Sequence, residues 1–86
     1  MLTLEEQQKV KRIRRSLTKL QLQVAVHEGR FDPSDLRIAV DNLCRAAETL
    51  AEMHLETNRL ADPIRYVEEK LNLVRRTLME RPLTKR

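Results

Sequence analysis

Six basic residues and no acid fall between positions 9 and 19: Lys9, Lys11, Arg12, Arg14, Arg15 and Lys19. Cations at that density can do one of two jobs. Aimed at phosphates they hold a nucleic-acid backbone in a salt-sensitive way; aimed at carboxylates they steer and orient an acidic protein surface. On a helix, Gln8, Arg12, Arg15 and Lys19 form one ridge with Lys11 beside it, so Lys11, Arg12, Arg15 and Lys19 are the candidate face for nucleic acid or an acidic partner. Neither a DNA-reading motif nor a base-stacking platform accompanies them, since the aromatic side chains, Phe31 and Tyr66, stand alone. The simpler expectation is a solvated outer face that partly pairs with acids elsewhere in the chain.

The other residue types able to do chemistry are isolated. His27 and His54 end their respective apolar series, and in an antiparallel pair of helices they lie at opposite ends, too far apart to share a metal or a proton. Cys44 is the single cysteine, which excludes an internal disulfide; beside an apolar series it reads as a small buried hydrophobe. The pairs Glu5-Glu6 and Glu68-Glu69 diverge by about 100° around a helix and lack the Glu-x-x-His spacing of metal-binding bundles. No glycine-rich phosphate loop, Cys-x-x-Cys or nucleophile elbow is present. The chain reads as non-catalytic, with no metal, cofactor or small-molecule substrate.

What must position these residues is a set of helices. Thr3 with Glu6 forms a capping box that opens a first helix, whose apolar series Val10, Ile13, Leu17, Leu20, Val24 leads to His27, with Gly29 as its expected left-handed end. Asp32-Pro33 opens a second, with the series Leu36, Val40, Leu43, Ala47, Leu50, His54, widened by Ala39, Ala46 and Met53 to touch two neighbours. Asp62-Pro63 opens a third, with Leu60, Ile64, Val67, Leu71, Val74, Leu78 running on toward Pro82. Short joints make consecutive helices antiparallel. The expected fold is an all-α, three-helix up-down-up bundle with heptad-like seams, its helices at about 4–28, 33–59 and 63–81, in a single domain over 1–81 followed by a short basic tail, 82–86. The alternative is a long helical hairpin, bent at Pro63 and intertwined with a second chain as a dimer.

Composition agrees: 86 residues contain one glycine, 35% charged and 2% aromatic side chains, as long helices do. A domain this small buries only about 60–65% of its unfolded surface, and without disulfide or metal the reinforcement left is a homo-oligomer or a larger protein partner. No stretch has the length and apolarity for a bilayer crossing and the first residues lack a secretory pattern, so a cytoplasmic protein is expected. Charge runs in thirds, +3 over residues 3–28, −4 over 32–58 and +4 over 59–86, which suits an acidic helix between two basic ones. The third helix is too short to cover the whole hairpin. Leu22, Ala25, Val26, Phe31 and Ile38 then become the candidate partner-binding surface at the first turn. The function these observations imply is a protein-protein interaction or assembly module, a small adaptor, inhibitor, chaperone or phage-type accessory protein. A sequence-nonspecific nucleic-acid binder is the alternative.

Overall fold

A computed structural model of the chain describes residues 2–80; the basic tail at 82–86 lies outside them. Three helices follow in order, α1 (Leu4–Ala25), α2 (Pro33–Leu55) and α3 (Pro63–Arg75), and α3 continues into one π-helical stretch, Arg76–Glu80. All three starts are built from the residues that the sequence offers. Thr3 Oγ1 accepts from Glu6 N at 3.1 Å while Thr3 N donates to Glu6 Oε1 at 2.9 Å. Asp32 Oδ1 accepts from Ser34 N at 2.8 Å and Asp62 Oδ1 from Arg65 N at 3.2 Å, each followed by a proline at the position where a missing N–H costs nothing.

The ends differ from expectation. α1 stops at Ala25 rather than near residue 28, and Gly29 is not left-handed. Val26 N reaches back to Leu22 O, and the ring of Phe31 stacks on His27 with centroids 4.1 Å apart, closing the turn without glycine's help. α2 stops at Leu55, four residues earlier than expected, because Glu56 takes the left-handed conformation (φ 61°, ψ 33°). Thr57 N then donates to Glu52 O at 2.9 Å and Glu56 N to Met53 O at 3.2 Å, a Schellman motif closed by a non-glycine residue. Asn58 Oδ1 accepts from Leu60 N at 2.7 Å and carries the reversal onward. The chain therefore folds back at Pro63, and residues 33–81 do not form the single bent helix of the alternative reading.

The packing order is also different. α2 was expected to be the shared central helix, but α3 holds that place: it lies close along α2 and also against α1, whereas the backbones of α1 and α2 stay apart. α2 turns toward the interior not Leu36–Val40–Ala47–His54 but the line one residue earlier, Asp35, Ala39, Asn42, Ala46 and Thr49. These side chains are small or short, so the α3 backbone can approach closely, and the buried Asn42 satisfies one donor on its own helix, Nδ2 to Ile38 O at 2.9 Å. From the other side α3 contributes its predicted series, with Ile64, Val67, Leu71 and Val74 buried. α1 adds Ile13, flanked by the partly buried Val10 and Leu17, and Leu43, Leu50 and Met53 of α2 close the cluster. Leu36, Val40, Ala47 and His54 are left exposed.

This register makes a sharp distinction between adjacent alanines. Ala46→Leu should force α2 and α3 apart and cost about 1–3 kcal/mol, while Ala47→Leu, on the exposed side, should change stability by less than about 0.5 kcal/mol. Urea unfolding of the two variants measures both.

Candidate interaction surfaces

Because α1 rests on α3 and stands off α2, an open groove remains between the second half of α1 and the first half of α2. Leu17, Leu20, Val24 and Ala25 form one wall, Leu43 the other, and Val74 and Leu78 the floor, enclosing about 360 Å³. Gln21 is the single polar side chain in this lining. Beyond the groove the same side of α2 exposes Leu36 and Val40. Six of the large exposed apolar side chains, Leu22, Val24, Val26, Leu36, Ile38 and Val40, gather at this end of the molecule, the end that the short third helix leaves uncovered.

The five residues singled out from the sequence all belong to this end of the chain's fold, in different local settings. Leu22 (63% exposed) and Val26 (73%) lie on the outer face of α1, where Leu22 joins Arg14, Arg15, Thr18 and Lys19 around a shallow depression. Ala25 sits on the groove wall. Phe31 is half-buried on His27 in the turn, and Ile38 is exposed on the flank of α2 roughly opposite Leu36 by helical phase. Sequence reasoning missed Val24, Leu36 and Val40, which it had spent on seams. The signal for them was present in α2 as a second line at 35, 39, 42, 46 and 49, small enough to be the preferred interior face.

The cationic ridge is divided by its contacts. Arg12 donates from both Nε (2.9 Å) and Nη2 (2.6 Å) to Glu68 Oε2, bridging α1 to α3. Its partner is thus on the third helix and not on the acidic second helix, as a consequence of α1 docking on α3. Behind this bridge Ser16, Lys19 and Gln23 of α1 face Asn72 and Arg75 of α3 across a cleft of about 370 Å³. Lys11 and Arg15 remain exposed on the outer side, and Lys19, also exposed, borders both that side and the cleft. On α2, Arg45 Nε donates to Asp41 Oδ2 at 2.8 Å, and that bond, followed by its charge and then by Tyr66, raises the guanidinium pKa above its ordinary value.

A larger cleft, about 720 Å³, lies at the opposite end between the start of α1 and the α2–α3 turn, walled by Val10, Leu50, Met53 and Leu60, with His54 at its rim. Asn58 projects here with a buried Nδ2 that has no hydrogen-bond partner, while the Glu6 carboxylate is held by Thr3. Cys44, expected to be buried, is exposed, since the inward line of α2 passes one turn-face away from it. Among the described residues no three His, Cys, Asp or Glu side chains gather as a metal site, and no helix is long and apolar enough to cross a membrane. Comparison with protein-family models, with curated proteins and with solved structures finds no match.

The Arg12–Glu68 bridge is half open to solvent, so its effect should be small. Arg12→Ala is expected to cost less than about 1 kcal/mol, shrinking as salt is added. Ile13→Ala, one residue on, should cost about 2–4 kcal/mol independent of salt. Paired unfolding curves at low and high salt separate the two.

Proposed function

We propose that the chain is a non-catalytic helical interaction module that associates through the apolar side formed by α1, α2 and the groove between them. The observation that carries this reading is the carbon-lined groove over Val74 and Leu78, bordered by exposed Leu36 and Val40. A domain of three helices that leaves such a trough uncovered presents the seat of a further helix, in the manner of helix-in-groove recognition.

The outer face of α1 supports a second reading. Arg14, Arg15 and Lys19 line one depression there, and none of the three is drawn into the core. Such a face suits nonspecific contact with nucleic-acid phosphates. Arg12 contributes less than its place on the ridge implied, because Glu68 already neutralises it.

The main reading is tested with Val40→Glu, a change at a position 55% exposed and therefore compatible with folding. Sedimentation of the wild type is expected to show self-association or a stoichiometric co-purifying protein. The variant should lose it while its helical circular dichroism stays intact. A wild type that sediments as a bare monomer and captures nothing rules the module out. For the second reading, affinity for a short duplex should fall steeply with salt, and Lys19→Ala should lower the log–log slope by about one unit; no shift at low salt eliminates it.

A further inference from the structure

α1 and α3 lie side by side and point the same way, and the Arg12–Glu68 bridge fixes their register. Equal steps along both helices from that bridge set Ser16 level with Asn72 and Lys19 level with Arg75. The three rungs differ in kind. The first is an ion pair, the second joins two neutral polar side chains, and the third sets one cation across from another. All three line the cleft of about 370 Å³ between the helices, with Gln23 beyond the last rung and Ile13, Leu20 and Leu71 as the apolar lining.

Among the described residues, Glu68 is the one acid in this lining, and Arg12 engages it with two hydrogen bonds. Ser16, Lys19, Gln23 and Asn72 make no side-chain hydrogen bond or ion pair within the described residues. Arg75 has an interaction of its own, and what it adds to the cleft is its charge. The half of the cleft away from the bridge thus gathers two cations and three neutral donors around a space that holds no carboxylate.

We propose that this cleft is a ligand site for a small phosphate monoester, the phosphate seated between Lys19 and Arg75 and the carbon portion on Leu20 and Leu71. A phosphate monoester carries a charge of about −1.5 to −2 near pH 7 and three strong acceptor oxygens. That charge matches the two cations of the third rung, and three oxygens can accept from both walls at once, Ser16 and Lys19 on α1 and Asn72 on α3. A carboxylate brings one charge and two coplanar oxygens, which satisfy one wall. The volume sits at the small end of the range for ligand sites, about 300–1,000 Å³. A nucleic-acid phosphate has instead a single charge and is esterified on two sides, and the exposed depression of Arg14 and Arg15 suits it better than a recess between helices. A ligand held by both walls also ties α1 to α3 and stabilises the folded chain by mass action.

The test titrates the whole chain with phenyl phosphate, followed by NMR and calorimetry. The side-chain amide signals of Gln23 and Asn72 should shift saturably, the melting temperature should rise, and benzenesulfonate, the same ring with one charge, should bind more weakly. Lys19→Ala should weaken binding by about 10-fold or more and Asn72→Leu by about fivefold, with unchanged helicity because both positions are exposed. Arg15→Ala, on the outer depression, should have little effect. Equal binding of benzenesulfonate, insensitivity to Lys19→Ala and Asn72→Leu, or a larger loss with Arg15→Ala than with Lys19→Ala overturns the cleft site, as does the lack of any shift at millimolar ligand. A short duplex that moves the same Asn72 signal and displaces phenyl phosphate overturns the small ester in favour of a nucleic-acid phosphate. Each of these results leaves the apolar-groove reading standing, since groove and cleft share Leu20 alone among the described residues that line them.

Discussion

The structure depends on how closely α3 can approach α2. Ala39 and Ala46, with the short Asn42 and Thr49 between and after them, bring two backbones together along nearly the length of α3. Close approach gains dispersion contacts, but it also fixes which face of α2 is interior. Once that face is spent on the small line, the larger Leu36 and Val40 must lie outside. The exposed apolar side of the molecule is thus a direct result of the tightness of its best-packed pair.

The same contact decides where α1 goes. With α3 seated against α2, the ridge formed by Ile64, Val67 and Leu71 offers α1 its apolar surface, and Ile13 inserts there. α1 and α3 then run parallel, and the charges follow: Arg12 meets Glu68 rather than an acid of α2. The alternation of basic, acidic and basic thirds is therefore not consumed in pairing neighbours along the sequence. Lys11, Arg15 and Lys19 stay on the surface for the same reason that Leu36 and Val40 do.

Helix starts were fully legible, because Thr3–Glu6, Asp32-Pro33 and Asp62-Pro63 act through local geometry that needs no partner. The α3 series at 64, 67, 71 and 74 was legible too, since β-branched and leucine side chains there outweigh any rival face. α2 was not. Its sequence carries two usable lines one residue apart, and hydrophobicity favours Leu36–Val40–Leu43, whereas the energy of close packing favours Ala39–Ala46. Glu56 was equally unreadable, because a glutamate seldom takes the left-handed conformation and nothing in its neighbourhood marks it. Misplacing the α2 face moved the candidate surface: Leu22 and Val26 are exposed as the sequence implies, but Leu36 and Val40 were assigned to a line of α2 that the fold leaves outside, and Val24 to the end of an α1 series that is buried only around Ile13.

The parallel seat of α1 on α3 also has a kinetic side. α2 and α3 join through a turn of a few residues, so their contacts close a short loop, whereas α1 must wait for the whole of α2 to reverse before α3 is in place to receive it. The α2–α3 hairpin is thereby the cooperative unit of the molecule, and α1, held by Ile13, a half-exposed ion pair and little contact with α2, is the element that detaches first. Each such opening would bare the Ile64–Leu71 ridge as well as the groove, making the apolar side of this small domain a surface whose area varies with time.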